Sequence, residues 1–252
     1  MHFNFDSRKT WLHKVNPSIK LFVCVTLCVL VLFIDTLRFM IHASIIVFIL
    51  YWLFTGHSFR RLCILAVPFL IIFLSTSSTM ILFGKGEHTW FRWGIIHITE
   101  EGFFNGLLIG FRALVFSSVG LVFALTTRPV FLFYSLMQQL KLKPKYAYSF
   151  MAGLRLIPIM IDEFQTIQNA MKVRGVESRK GLQNVFFKLK SYSIPLLSQG
   201  IRRVHRIAVA MEAKRFSDRS RTYYYEIGLT KIDLIFISYF LITIVLAYLL
   251  SF

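Results

Sequence analysis

Acidic residues are scarce in this 252-residue chain, which has 12 Asp and Glu against 29 Lys and Arg and a net charge of +17. None of the acidic residues lies inside a long apolar run, and Asp35 lies only at the end of one. Carriers driven by proton or ion gradients use acidic side chains within the membrane as their relay. The scarcity therefore disfavours a stand-alone secondary carrier.

Motifs for catalysis and cofactor binding are also missing. There is no Gly-x-x-x-x-Gly-Lys-Ser/Thr phosphate loop, no Gly-x-Ser-x-Gly turn and no His-x-x-x-His pair. The three cysteines, Cys24, Cys28 and Cys63, form no Cys-x-x-Cys pattern, which favours buried thiols over a metal site. His88 in a polar segment is weak evidence for a metal. The sequence therefore predicts neither an enzyme nor a resident metal or cofactor.

Long apolar runs are abundant, and hydrophobic residues make up 56% of the chain. Several runs approach the roughly 20 residues that a helix needs to cross a bilayer. A nucleic-acid-binding domain would explain the charge but not these runs, so we predict a lipid bilayer and no nucleic acid as partner. The five predicted spans are Ile19–Ile34, Phe39–Phe54, Leu62–Phe83, Phe103–Leu125 and Leu234–Phe252.

The predicted fold is an all-α, polytopic membrane protein with three parts. Transmembrane helices occupy 1–126, amphipathic helices on the cytoplasmic side occupy 127–231, and the last transmembrane helix occupies 232–252. From Arg128 to Lys231 the chain carries 19 of its 29 basic residues and six acids. Because short cytoplasmic loops carry the excess of Lys and Arg, this region and the N-terminus are predicted inside and the C-terminus outside.

The basic region contains apolar residues at helical spacing. One such series includes Ile157, Met160 and Phe164, and a second includes Ile194, Leu197, Ile201 and Val204. Pro158 is expected to break or start the first helix. Pro129–Leu140 is a third, shorter candidate helix. Helices of this kind lie on the membrane surface or pack on each other beneath it.

Each of the two longer helices ends in a similar motif. The first is "NAMKVRGVE" from Asn169 to Glu177, and the second is "VAMEAKRFS" from Val209 to Ser217. A helix end with a protruding cation fits a groove on another protein. Two similar ends predict two similar sockets and hence a dimeric partner.

Arg112 lies near the middle of the fourth predicted span. A cation there costs about 2.5–3.5 kcal/mol on insertion scales. Two interpretations stay open: a polar contact within the bundle or with a partner, or an arginine that snorkels from a span beginning later.

Several segments together resemble the transmembrane T component of energy-coupling factor (ECF) transporters, a family that includes cobalt-transport permeases. "WLHKVNPSIKL" from Trp11 to Leu21 is similar to the family's His-x-x-x-Pro-x-x-Lys-Leu segment. Arg112 and the Thr126-Thr127 pair match its pattern around the fourth span. Gly153–Gly175 looks like the proline-containing helix before the first Ala-Arg-Gly signature, and the second motif stands where the second signature falls.

The resemblance implies a non-catalytic scaffold in a bacterial or archaeal cell membrane. In the family, coupling helices dock into two ABC ATPase subunits, which hydrolyse the ATP. The membrane helices hold a small membrane-embedded S component that binds a vitamin, a vitamin precursor or a metal ion. The S component selects the substrate, so the present chain does not specify it. A stand-alone secondary carrier remains the alternative.

Carried over by position, Arg174 and Gly175 match the first signature, with Val173 in place of the family's usual Ala. Ala170 of the same motif is a further predicted ATPase-coupling residue. In the second motif Ala213 matches, while Lys214 stands for the family's Arg and Arg215 for its Gly. Because Arg lacks the tolerance of Gly for positive φ, the second helix is expected to end differently.

The resemblance also makes Arg112 and Pro158 candidates for contacts within the bundle or with the S component.

Overall fold

The computed structural model describes residues 10–84, 86, 88–93, 96–175, 182–216 and 223–250. Its elements confirm the all-α class. A short 3-10 helix, Trp11–Lys14, precedes the eight α-helices found in the described part of the chain. They are α1 Pro17–Phe33, α2 Leu37–Phe54, α3 Phe59–Phe83, α4 Glu100–Thr126, α5 Pro129–Gln139, α6 Pro144–Val173, α7 Leu182–Ala213 and α8 Lys231–Leu249.

Four of these helices, α2, α3, α4 and α8, are long and apolar enough to cross a membrane. The helix α1 is apolar but has 17 residues, which gives it a length of about 26 Å against a hydrocarbon core of about 30 Å. The chain is thus a multi-pass membrane protein. Of the helices at the five predicted spans, α1 is the shortest, and the count of five requires that it also crosses the bilayer.

The segment between α3 and α4 contains a feature that the sequence interpretation missed. Strands β1 Thr89–Trp93 and β2 Ile96–Thr99 pair antiparallel, with an irregularity between Thr89 and Phe91. The β-branched and aromatic residues of this segment favour a strand. The sequence indicated only a polar segment here, because strands of four or five residues give a weak pattern beside long apolar runs.

The chain divides into two compact units, residues 1–135 with 227–252 and residues 136–226. In the first unit α4 contacts α1, α2 and α3, and α8 contacts α1 and α2. The buried core includes Leu27 on α1, Val47 on α2, Val115 and Val119 on α4, and Phe236 on α8. The helix α4 is therefore the central element of this bundle.

Glycines allow α3 and α4 to approach closely. A Cβ atom added at Gly106 would lie 2.8 Å from Cγ1 of Ile81, and one added at Gly110 would lie 2.8 Å from the ring of Phe73. Small residues at four-residue spacing let two membrane helices pack with their backbones in near contact. This spacing explains why α3 and α4 form a tight pair.

The second unit contains the two longest helices, α6 with 30 residues and α7 with 32. The expectation that Pro158 breaks or starts a helix is wrong, since α6 runs through it from Pro144 to Val173. A proline removes one helical hydrogen bond and bends the helix, but neighbouring turns continue when packing supports them. Here α6 packs on α7 near this point, where a Cβ atom on Gly200 would lie 3.8 Å from Sδ of Met160.

Candidate functional site

The end of α6, residues Ala170–Gly175, has a defined cap. The Arg174 N–H donates to the Ala170 carbonyl at 3.1 Å, and the Gly175 N–H donates to the Lys172 carbonyl at 3.0 Å. Gly175 has φ of +71°. A glycine in the left-handed region after the last helical turn is the usual way to satisfy the final carbonyl groups.

The end of α7, residues Ala210–Arg215, has the same cap in the same register. The Lys214 N–H donates to the Ala210 carbonyl at 3.2 Å, and the Arg215 N–H donates to the Glu212 carbonyl at 2.8 Å. The next N–H, of Phe216, donates to the Met211 carbonyl at 2.9 Å. These bonds complete a Schellman motif.

The expectation that α7 ends differently from α6 is therefore wrong. Arg215 takes φ of +54°, the conformation that Gly175 takes at the end of α6. A left-handed conformation costs an L-residue about 1–2 kcal/mol. Two interactions oppose this cost: the Schellman hydrogen bonds, and the ring of Phe216, which packs edge-on against Tyr148 at 5.6 Å.

Both helix ends present their cations to solvent. The exposed positions are Ala170, Arg174 and Gly175 at the α6 end and Ala213, Lys214 and Arg215 at the α7 end. Within the described residues, neither Arg174 nor Lys214 nor Arg215 makes an ion pair. Val173 beside Arg174 is 90% exposed. An apolar and a cationic side chain are thus displayed together at the α6 end.

The two helix ends lie at opposite ends of an antiparallel pair, here called the α6–α7 hairpin. Tyr148 near the start of α6 meets Phe216 after α7, and Phe164 meets Tyr192 at 5.4 Å. Between them, Nη2 of Arg203 lies 3.5 Å from Oε2 of Glu163. From Tyr148 to the end of α6 the helix rises about 38 Å. One small partner surface therefore does not reach both ends.

The hairpin leaves apolar side chains uncovered along its length. Ile157 and Ile161 on α6 are 54% and 52% exposed, and Leu197, Ile201 and Val204 on α7 are 51–69% exposed. Pro158 is also exposed. Exposed apolar stripes of this size are typical of surfaces that contact another protein or lipid.

Arg112 lies away from both helix ends, in the first unit. Its Nη2 donates to the Ile34 carbonyl at 2.9 Å and to Oδ1 of Asp35 at 2.8 Å. The arginine side chain is 19% exposed and the aspartate side chain 81% exposed. A cation at the C-terminus of α1 interacts favourably with the helix dipole. The structure thus places Arg112 against the α1–α2 connection.

Lys20, the lysine of the His-x-x-x-Pro-x-x-Lys-Leu segment, makes a contact that the sequence interpretation did not predict. Only 1% of it is exposed, and its Nζ donates to the carbonyl and Oγ1 of Thr126 at 3.1 Å. It therefore joins the start of α1 to the end of α4. The sequence contained a signal for this contact, because a lysine at the start of an apolar run is long enough to cap a neighbouring helix.

Comparisons with a family model and with individual proteins agree with each other. Residues 8–224 match the family model CbiQ, described as a cobalt transport protein. The chain is 30% identical over 257 aligned residues to the energy-coupling factor transporter transmembrane protein EcfT of Limosilactobacillus fermentum, covering 93% of this chain and 91% of that protein. It is 31% identical to EcfT of Lactococcus lactis subsp. cremoris, over 71% of each chain.

Proposed function

The chain belongs to the CbiQ family as the transmembrane T component of an energy-coupling factor transporter, and we propose that it couples two cytoplasmic ABC ATPases to an S component. The observation that carries this proposal is the matched pair of helix ends. Each combines the same backbone cap with an exposed cation, and the two lie at opposite ends of one hairpin. Two equivalent ends suit two copies of an ATPase.

The α6 end and the α7 end are proposed to insert into one ATPase groove each. Arg174 offers a planar fork that binds a carboxylate or the C-terminus of a helix with two hydrogen bonds. At the α7 end Lys214 and Arg215 share that role, since lysine supplies charge but not the fork. Ala170 and Ala213 keep the last turns slim enough to approach a groove wall.

The proposed partner on the membrane side is a small S component that binds a vitamin, a vitamin precursor or a metal ion. Apolar side chains exposed on the α6–α7 hairpin support this second partner, while those exposed on the membrane helices contact lipid as well. Movement of the ATPases would reach this partner through α6 and α7, because continuous helices transmit displacement as rigid bodies.

The proposed orientation has the N-terminus and residues 127–231 in the cytoplasm and the C-terminus outside, with transmembrane parts at 1–126 and 232–252. Basic residues concentrated between α4 and α8 support it. In this arrangement both helix ends are accessible to cytoplasmic ATPases.

Co-purification with co-expressed ATPase subunits tests the proposal. We expect Arg174→Ala with Lys214→Ala to reduce ATPase retention at least tenfold, since loss of a charge from a docked interface costs about 2–5 kcal/mol. The matched control, Arg202→Ala with Arg206→Ala, removes two exposed cations from the C-terminal half of α7 before its last turn and is expected to retain the ATPases.

Substrate uptake and ATPase activity of the assembled complex complete the test. Retention of both activities in Arg174→Ala would contradict the assignment of the α6 end. Uptake by the purified chain alone, without any ATPase, would instead favour a secondary carrier.

A further inference from the structure

A basic cavity lies at the N-terminal end of α1, within the first unit. It has a volume of about 530 Å³, and its lining includes His13, Lys14, Asn16, Thr127 and Arg128. These residues come from the 3-10 helix, the start of α1 and the α4–α5 connection. The cavity thus forms where the N-terminal segment meets the end of the central helix.

The charges around this basic cavity have one sign. Lys14 and Arg128 line it, and no acidic residue is found among its described lining residues. Burial first, and then the charges of Lys20, His57 and Arg128, lower the pKa of His13. Oγ1 of Thr127 is buried and has no hydrogen-bond partner among the described residues. Two cations and a hydroxyl without a described partner, in one cavity, favour the binding of an anion that has acceptor oxygens.

The wall of the cavity is held by a buried network around Asn16. The Asn16 N–H donates to Oδ1 of Asp233 at 2.6 Å, and its side-chain oxygen accepts from the Ser18 N–H at 3.1 Å. The other carboxylate oxygen of Asp233 accepts from the Thr230 N–H at 2.7 Å. Asp233 also accepts from Oγ1 of Thr230 at 3.1 Å, and it lies behind this wall rather than among the residues that line the cavity.

An apolar groove of about 460 Å³ runs between α1 and α4, lined by residues such as Leu21, Cys28, Leu32 and Phe123. It lies next to the basic cavity along the same two helices. Pro17 lines the cavity and Leu21 the groove, four residues apart on α1, and Thr126 lines the cavity and Phe123 the groove, three residues apart on α4. Residues three or four apart lie on one face of a helix.

The length of the groove matches one leaflet of a bilayer. From Leu21 to Leu32 the helix rises about 16 Å at 1.5 Å per residue. Half of a hydrocarbon core of about 30 Å is about 15 Å. The basic cavity and the apolar groove, one leaflet deep, are therefore complementary to an anionic phospholipid. The cavity is opposite in charge to a phosphate, and the groove has the length of an acyl chain.

We propose that the basic cavity and the apolar groove together bind one anionic phospholipid, with its phosphate among Lys14, Arg128 and Thr127 and an acyl chain between α1 and α4. The leaflet is the cytoplasmic one under the orientation proposed above. The lipid would join the N-terminal segment to the first residues of α5, which continues along the chain towards α6.

Native mass spectrometry of the full-length protein in detergent tests this site. We expect one phosphatidylglycerol to be retained in preference to phosphatidylcholine with the same chains. Because each cation near a membrane surface contributes about 1 kcal/mol, Lys14→Gln with Arg128→Gln should weaken binding about 30-fold. Arg60→Gln with Lys231→Gln removes two exposed cations outside the cavity and should change binding less than twofold.

A second variant tests the groove. Gly120 lines it, and a Cβ atom added there meets nothing within 4 Å, so Gly120→Leu places a side chain on the groove with no clash at its Cβ. Binding of phosphatidylglycerol should fall at least tenfold. Gly153→Leu, on α6 in similarly open space, is the control and should bind normally.

Three results would overturn the proposal: equal binding of the two lipids, displacement of phosphatidylglycerol by millimolar inorganic phosphate, or normal binding by Gly120→Leu. Displacement by phosphate would identify a free-anion site instead. Salt titration of the unaltered protein gives a test that depends on no variant, since binding should weaken as salt rises. These measurements contain no ATPase, so their failure is distinct from failure of the coupling proposal.

Discussion

The ends of α6 and α7 have the same backbone and different side chains. Gly175 and Arg215 occupy the same left-handed position, after Arg174 and Lys214 respectively. At the α6 end glycine adopts this conformation without strain. At the α7 end the hydrogen bonds and the Phe216–Tyr148 contact hold an arginine in it. Equal geometry therefore does not imply equal stability or an equal contact with a partner.

The largest expected difference between the ends is in ATPase binding. Arg174→Ala should weaken retention at least tenfold, because it removes the bidentate fork and leaves Lys172, a point charge two residues earlier, at the α6 end. Lys214→Ala alone should weaken it only a few-fold, since Arg215 remains. Retention of co-expressed ATPases by each single variant measures the difference. Equal losses in the two variants would show that the ends act identically.

Exchanging the left-handed residues should shift the stability of the two ends in opposite directions. Arg215→Gly should stabilise the α7 end by about 1 kcal/mol and Gly175→Arg should destabilise the α6 end by a similar amount. Amide hydrogen exchange of peptides that cover each end should report about fivefold changes in protection. Lower protection at the α7 end in Arg215→Gly would contradict the view that Arg215 is strained.

The smallest expected effect comes from the contact that supports the α7 end. Phe216→Ala removes the ring packed on Tyr148, and an aromatic pair contributes about 0.5–1.5 kcal/mol beyond its buried area. Protection of the last turn of α7 should fall several-fold while the α6 end is unchanged. Phe187→Ala, which removes another exposed α7 ring, is the matched control and should leave the α7 end unaffected.

Much of the fold was predictable from local sequence. Apolar runs at bilayer length located α2, α3, α4 and α8 to within a few residues, because each run must be buried in lipid or protein whatever its neighbours are. The hairpin of β1 and β2 was not found, since strand patterns of four or five residues are weak beside such runs.

The candidate site was predictable in position but not in conformation. The repeated motif located both helix ends, since its Ala-Met spacing is the same in each copy. Local rules failed at Pro158 and Arg215. Local propensity favours ending a helix at an internal proline and avoiding positive φ at arginine. Packing between α6 and α7 overrides the first preference, and the Schellman cap with Phe216 overrides the second.

The sequence by itself determined that this protein crosses a membrane, that its charge is concentrated between α4 and α8, and that two helices end in related basic motifs. These properties depend on composition and spacing along the chain. Only the tertiary structure decided that Arg112 binds the end of α1, that Lys20 caps α4, and that a basic cavity and an apolar groove lie along the same two helices. Each of these joins residues far apart in sequence, and no local pattern specifies which distant groups will meet.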